Sequence, residues 1–374
     1  MQSIAPTKLK MPDSLSPDEF LDLHPEQPII DVRSPGEYQK GHIEHAVNLP
    51  LFDDEERADV GTIYKQKGRD HAVIRGLEIV GPKMASFVVS AKKISRAHRK
   101  QHSLPPVDQD GKDQPPIPIG VHCWRGGMRS ESFAWLLEKG GFAPKLLDGG
   151  YKSYRNHVHS RIDRQFNLLV ISGLTGAGKT KYLHLLESRG QQIIDLEGLA
   201  NHRGSAFGAI GLGDQPSTEH FENRLFHELE KLDSSLPIWV EDEGNRIGGV
   251  VVPESFHKQM QHARAIFVDA SVGRRVEHLI EVYGPLPKEA LGHSVEKIRK
   301  RLGGQHVNAA LEALETGDLK TTTEIVLAYY DKTYLKAVDS MPRTQTHNLP
   351  VGDLSDGKVV ERLIEMAGQV AATP

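Results

Sequence analysis

The chain has 374 residues and only one cysteine, so no intrachain disulfide, no cysteine-rich zinc site and no CxxC redox pair can form. No run approaches the ~18 consecutive apolar residues of a membrane helix. The start, MQSIAPTKLKMPD, has no apolar signal-peptide core. From these absences we expect a cytoplasmic chain with no membrane partner. An excess of charge of one sign is also lacking: 46 Lys and Arg against 50 Asp and Glu leave a net charge of −4. That argues against nucleic-acid binding through bulk charge and restricts it to a local basic face. What is there, 38% apolar and 26% charged residues with Gly and Pro dispersed, belongs to a globular protein long enough for two domains.

Alternating strands and helices open the first domain. Ser16-Pro17-Asp18-Glu19 and Ser34-Pro35-Gly36-Glu37 each set an N-cap serine, a first-turn proline and an N3 glutamate in order. Ile29–Val32 and Ala46–Leu49 read as strands, and the alternation predicts a parallel sheet. From Asp53 to about His102 the pattern is helical, acidic at its start and basic at its end, with Lys92, Lys93, Arg96, Arg99 and Lys100. A solvated helix face explains such a charge run, and so does contact with phosphates. Ser103 to Pro118, rich in Pro, Asp and Gln, reads as an inserted loop, after which strands at Ile119–His122 and Leu146–Asp148 flank a helix at Ser130–Glu138. The first domain is therefore assigned to residues 1–155, with an insertion at about 103–118. The second is assigned to 156–374, after a polar, basic junction at Lys152–Arg164. Its strands are expected at Leu168–Ser172, Ile193–Asp195, Ile238–Glu241 and Ala265–Val268, and its last hundred residues read mostly as helices.

Gly173-Leu174-Thr175-Gly176-Ala177-Gly178-Lys179-Thr180 satisfies G-x-x-x-x-G-K-[ST] between an apolar strand and a helix. Gly173, Gly176 and Gly178 let backbone amides turn inward around a phosphate. Lys179 reaches its far end, and Thr180 is suited to ligate Mg²⁺. Ile238–Glu243, an apolar strand ending in acids, is the best partner strand for such a loop. The loop identifies a polyphosphate, not a base, so a non-nucleotide diphosphate satisfies it as well as a nucleotide.

The lone cysteine lies in His122-Cys123-Trp124-Arg125-Gly126-Gly127-Met128-Arg129-Ser130, between a strand and the start of a helix. The helix N-terminus and the charges of Arg125 and Arg129 favour a thiolate there. Its spacing matches the H-C-x5-R-[ST] loop of cysteine-dependent phosphatases. Yet Ile30-Asp31-Val32-Arg33, Glu37-Tyr38, Gly41-His42-Ile43 and Ala46–Pro50 resemble the rhodanese family, whose active cysteine carries sulfur or selenium. The usual rhodanese loop has four residues between Cys and Arg, and the larger loop here is suited to a bulkier, phosphate-bearing donor.

Taken together, the two loops resemble the tRNA 2-selenouridine synthases. Further matches are Asp53–Ala58 with Val60-Gly61-Thr62, Leu196–Ala200 with His202-Arg203-Gly204-Ser205, and Trp239–Gly244. The resemblance implies an α/β protein: a rhodanese-like parallel-sheet domain, then a P-loop NTPase-like domain with a helical C-terminal part. It implies that wobble 2-thiouridine of tRNA is converted to 2-selenouridine with selenophosphate, through an S-geranyl intermediate made from geranyl diphosphate. Cys123 would carry selenium, aided by Arg125 and Arg129. The loop at Gly173–Thr180 would hold the diphosphate. Selenophosphate and geranyl diphosphate enter as substrates, with no tightly bound cofactor and Mg²⁺ at Thr180. The partners are the thiolated tRNA and a selenophosphate synthetase. For tRNA the candidate contacts are the basic run at 92–100, His157, His159, Arg161 and Arg164, and Arg274 and Arg275. Phe207, Phe221 and Trp239 are candidate walls for the geranyl chain. A cysteine-dependent phosphatase and a nucleotide-binding regulatory protein are the alternatives.

Overall fold

The computed structural model describes residues 13–106, 115–338 and 345–371. Half of the expected insertion at 103–118, residues 107–114, lies outside them, and its last two residues, Ile117 and Pro118, belong to a strand. The chain divides into two compact units, residues 1–160 and 161–374.

In the first unit the described elements are β1 (Ser14–Leu15), α1 (Pro17–Leu21), β2 (Ile29–Asp31), α2 (Pro35–Lys40), β3 (Val47–Asn48), α3 (Asp54–Lys67), α4 (Arg69–Val80), α5 (Met84–Gln101), β4 (Ile117–His122), α6 (Met128–Lys139), β5 (Phe142–Leu147) and α7 (Gly150–Ile162). Both sequence-predicted capping boxes are present, at Ser16 with Glu19 and at Ser34 with Glu37. The strands form a parallel sheet in the order β1-β5-β4-β2-β3, so β4, which ends at the cysteine, is central. Ile30, Val121, Phe133 and Phe142 pack in its core.

The expected helical run from 53 to 102 is three α-helices. Gly68, at φ +86°, ends α3, and Gly81-Pro82 forces a 3-10 turn before α5. The stretch read as a polar junction, 152–164, is mostly helix α7, which starts at Gly150. Its Tyr151, Tyr154 and Val158 are buried.

In the second unit the elements are β6 (Leu168–Ser172), α8 (Lys179–Glu187), β7 (Gln192–Ile194), α9 (Leu196–Ala200), α10 (Thr218–Leu229), β8 (Ile238–Glu241), β9 (Arg246–Ile247), β10 (Val250–Val251), α11 (Glu254–His262), β11 (Arg264–Asp269), α12 (Val272–Tyr283), α13 (Lys288–Lys297), α14 (Arg299–Leu302), α15 (Gly304–Thr316), α16 (Leu319–Val338), β12 (Thr346–Pro350) and α17 (Asp356–Ala371). A parallel sheet in the order β12-β11-β6-β8-β7 puts β6, which feeds the glycine loop, in the middle. β12 is a strand within the part expected to be helical. The buried runs of β6 and β8 follow from their apolar sequences, since a parallel sheet covered on both faces has no polar side. No helix among the described residues is long and apolar enough to cross a membrane.

Candidate functional sites

The cysteine loop joins β4 to α6. Cys123 is buried, 3% exposed, with its Sγ 3.2 Å from Ser130 Oγ. The loop is held by α7: the Cys123 and Trp124 carbonyls accept from the Tyr151 and Lys152 amides at 2.8 and 2.9 Å. Gly126 and Gly150 both have positive φ, +65° and +63°. A Cβ on Gly150 would run into the Gly126 and Arg125 amides and the Cys123 carbonyl.

Below the loop, Asp31 and Arg33 form a buried ion pair at 2.6 Å, and the Arg33 guanidinium stacks 3.6 Å from the centre of the Tyr151 ring. Burial pushes His122 down to about 4, so its imidazole is neutral and takes no charge at physiological pH. Arg125 is exposed at the loop, whereas Arg129 binds Glu37 at 3.0 Å, an acid that Arg57 also meets at 3.1 Å. Burial acts to raise Glu37, but Arg129 and Arg57 hold its carboxyl below the usual range.

Beside this loop α3, α4 and α6 border an apolar cavity of about 1160 Å³. Phe52, Tyr64, Leu77, Met128 and Trp135 line it, and Arg57, Arg125 and Arg129 stand at its polar edge. Tyr64, Leu77, Met128 and Trp135 are exposed. No local sequence signal marks this cavity, because its walls come from three helices whose apolar residues look like ordinary core positions.

In the second unit, Gly173, Gly176 and Gly178 all have positive φ, and Lys179 Nζ folds back to donate to the Gly173 carbonyl at 3.3 Å. Thr180 Oγ1 donates to Glu197 Oε2 at 3.0 Å, and the Glu197 amide donates to Glu241 Oε1 at 2.9 Å. Ser172 Oγ donates to Asp242 Oδ2 at 2.7 Å. β8 thus delivers Glu241, Asp242 and Glu243 beside the loop, as its apolar-then-acidic sequence suggested.

Glu197 Oε1 and Glu243 Oε2 converge on Gly204, where a Cβ would meet them at 2.5 and 2.8 Å. Burial raises both carboxyls, Glu243 to about 8, against the opposing pull of Lys179. Thr180 with Glu197 is an all-oxygen donor set that fits Mg²⁺, a hard cation. Both acids lie in sequence blocks already singled out, but only the fold shows that they meet.

The glycine loop opens into a cavity of about 560 Å³. Gly176, Gly178, Lys179 and Thr180 form one end, and Leu279, Tyr283, Leu291, Val295, Leu314 and Val326 form an apolar body. Arg203, Gly204 and Ser205 lie on its wall, which makes that motif part of the site. Phe207 is also there. Phe221 and Trp239 are not, being fully buried in the core.

The candidate tRNA contacts separate into two groups. On α5, Phe87, Ala91 and Ser95 face inward, leaving Lys93, Arg96 and Lys100 exposed and Lys92 and Arg99 half-buried. Arg275 is 2% exposed and bound bidentately to Asp331 at 2.7 and 2.8 Å, so it cannot meet RNA phosphates. Arg274 is spent on the Gly352 and Leu354 carbonyls, Tyr182 and Asp356. Arg161 and Arg164 approach Glu230 at 3.4 and 4.0 Å, and His157 approaches Asp18.

Comparison with known proteins matches residues 16–157 to the rhodanese-like domain and residues 166–348 to the AAA domain of tRNA 2-selenouridine synthase. The tRNA 2-selenouridine synthase of Nitrosomonas europaea is 41% identical over 68% of this chain and 63% of that protein. That of Bdellovibrio bacteriovorus is 32% identical, covering 87% of this chain and 93% of its own. That of Shewanella frigidimarina is 33% identical, covering 83% and 88%.

Proposed function

The chain belongs to the tRNA 2-selenouridine synthase family, and from that premise we propose that it exchanges the sulfur of wobble 2-thiouridine for selenium in two steps, one at each loop. The observation that carries the first step is the join between a phosphate-binding loop and an apolar cavity. A nucleotide would put a polar base and ribose into that cavity. An isoprenoid diphosphate would fill it, at roughly 0.8 kcal/mol for each methylene-sized group buried.

In the first step the thiocarbonyl sulfur attacks C1 of geranyl diphosphate, the C–O bond breaks, and the N3 proton of the base is released. Lys179 and the loop amides meet the charge that develops on departing diphosphate. Mg²⁺ held by Thr180 and Glu197 would supply further neutralisation of that leaving group.

In the second step selenium from selenophosphate replaces the geranylthio group at C2 beside Cys123. Selenium enters as selenide and sulfur leaves as thiolate, so the exchange is redox-neutral. A selenium carried as Cys–S–Se⁻ lies two electrons above that level. It needs an oxidant to load and a thiol to unload. Addition of Cys123 to C2 expels geranyl thiolate, selenophosphate selenium then attacks the same carbon and expels the Cys123 thiolate, and water cleaves the P–Se bond to release phosphate; this sequence needs neither. The apolar cavity beside the cysteine loop suits a geranyl group arriving on the base, and its arginine edge suits RNA or selenophosphate.

The test is mass spectrometry of nucleosides from thiolated tRNA incubated with each donor. Lys179→Ala should abolish geranylation. Cys123→Ser should accumulate S-geranyl-2-thiouridine without 2-selenouridine. Normal selenouridine formation by Cys123→Ser overturns the role of the cysteine. Absence of any geranylated base in both the wild type and Cys123→Ser overturns the two-step order.

A further inference from the structure

Four histidines, His24, His45, His98 and His102, meet in the first unit. His98 and His102 lie one turn apart at the end of α5, on the stripe that begins with buried Ala91 and Ser95. His24, in the loop after α1, packs its ring 5.6 Å from that of His98 and 5.0 Å from that of His102. His98 and His102 are themselves 4.4 Å apart, centre to centre. One imidazole nitrogen from each of His24, His98 and His102 lies within 4.8 Å of the others. Among the described residues this is the one cluster with that property.

We propose that His24, His98 and His102 form a three-histidine site for a borderline transition-metal ion of the Zn²⁺ class, which pins the end of α5 to the loop after α1.

The donor chemistry supports this class. Neutral imidazoles suit Zn²⁺ and its neighbours, whereas Mg²⁺ and Ca²⁺ prefer oxygen. A tetrahedral centre with metal–nitrogen bonds of about 2.0–2.1 Å sets its ligand nitrogens roughly 3.4 Å apart, within reach of small ring rotations from the separations found here. The surroundings are those of ligating histidines. His98 Nε2 lies 2.6 Å from the Pro25 carbonyl, which directs its N–H outward and leaves Nδ1 for a metal. His45 stacks on His24 at 4.4 Å and 11°, and it does so from a left-handed backbone conformation, φ +65°, that few histidines adopt. Three protein ligands leave one tetrahedral position for water. The consequence is mechanical: α5 carries Lys93, Arg96 and Lys100, and a metal at its C-terminal turn would fix the direction of that basic stripe.

The experiment uses the full-length, untagged chain with metal ions alone. After equilibration with Zn²⁺ and gel filtration, one Zn²⁺ per chain should remain, and Co²⁺ should give the intense visible bands of a tetrahedral nitrogen site. H98Q/H102Q should bind Zn²⁺ at least tenfold more weakly with an unchanged circular dichroism spectrum, while Cys123→Ser should bind it normally. Zn²⁺ should also protect His24, His98 and His102 of the wild type from diethyl pyrocarbonate, located by peptide mass spectrometry, a readout that holds if the double variant misfolds. No retained metal, a weak octahedral Co²⁺ spectrum, protection of other histidines only, or wild-type stoichiometry in folded H98Q/H102Q overturns the site.

Discussion

Gly150 lies against Gly126 so closely that a single Cβ on it would collide with the Gly126 amide and stand 2.6 Å from the Cys123 carbonyl. The first turn of α7 is therefore the mould in which the cysteine loop is cast, and the two glycines are required by contact as well as by their positive φ.

Gly150→Ala should distort the loop at a backbone cost of about 1–3 kcal/mol. The expected phenotype is loss of 2-selenouridine with S-geranyl-2-thiouridine accumulating, because the glycine loop of the second unit is untouched. Nucleoside mass spectrometry and a urea midpoint measure the two effects. Wild-type selenation in this variant would show that the loop tolerates reshaping.

Both loops were legible in the sequence because their chemistry is local: G-x-x-x-x-G-K-[ST] and the Cys-to-Arg stretch each specify backbone geometry within eight residues. The strands preceding them were legible for the same reason, as short apolar runs. Residues that act through distant partners were not. Arg274 and Arg275 looked like surface charge, and only the approach of α16 and the first residue of α17 shows that Asp331 and Asp356 claim them. The cavity walls on α12, α13, α15 and α16 were not legible, since an apolar helical stripe does not announce whether it faces protein or ligand. The histidine cluster joins positions 24, 98 and 102, a separation no local motif spans.

Plugging the cavity of the second unit should shorten the chain it accepts. Val326, half-buried on its wall, replaced by Phe removes room for the far end of a ten-carbon chain. Excluding one five-carbon unit forfeits roughly 4 kcal/mol of burial, or about 10²–10³-fold in kcat/KM for geranyl diphosphate. Dimethylallyl diphosphate should be affected far less, so the ratio of the two rates is the measurement. An equal loss for both donors would mean that the chain lies elsewhere.

Arginine substitutions should separate packing from RNA contact. Arg275→Ala leaves Asp331 without its partner and frees the Thr175 carbonyl, which Arg275 also binds at 3.2 Å. Its cost should be about 3 kcal/mol of stability, with no change in the salt dependence of tRNA binding. Replacing Lys93, Arg96 and Lys100 together with Gln should do the reverse. Stability should stay within about 0.5 kcal/mol, while the slope of log K against log salt falls by up to about 3. Chemical denaturation and tRNA titrations at several salt concentrations distinguish the two cases.

Glu243 gives a pH signature with a definite sign. Its carboxyl is raised from 4.5 to about 8, chiefly by burial, so the folded state holds a proton that the unfolded state has released. Stability contributed by that bound proton is fully present below pH 4.5, and it declines as pH rises toward 8. Glu243→Gln keeps a neutral side chain at every pH. In EDTA, its melting temperature should match the wild type near pH 5 and exceed it increasingly up to about pH 8.5, where the wild-type carboxyl is forced to ionise next to Glu197 and Asp242. Lys179 offsets part of that cost, so Lys179→Ala should widen the difference. Parallel melting curves for wild type and Glu243→Gln across pH 5–9 would show that the carboxyl is ionised in the folded protein throughout.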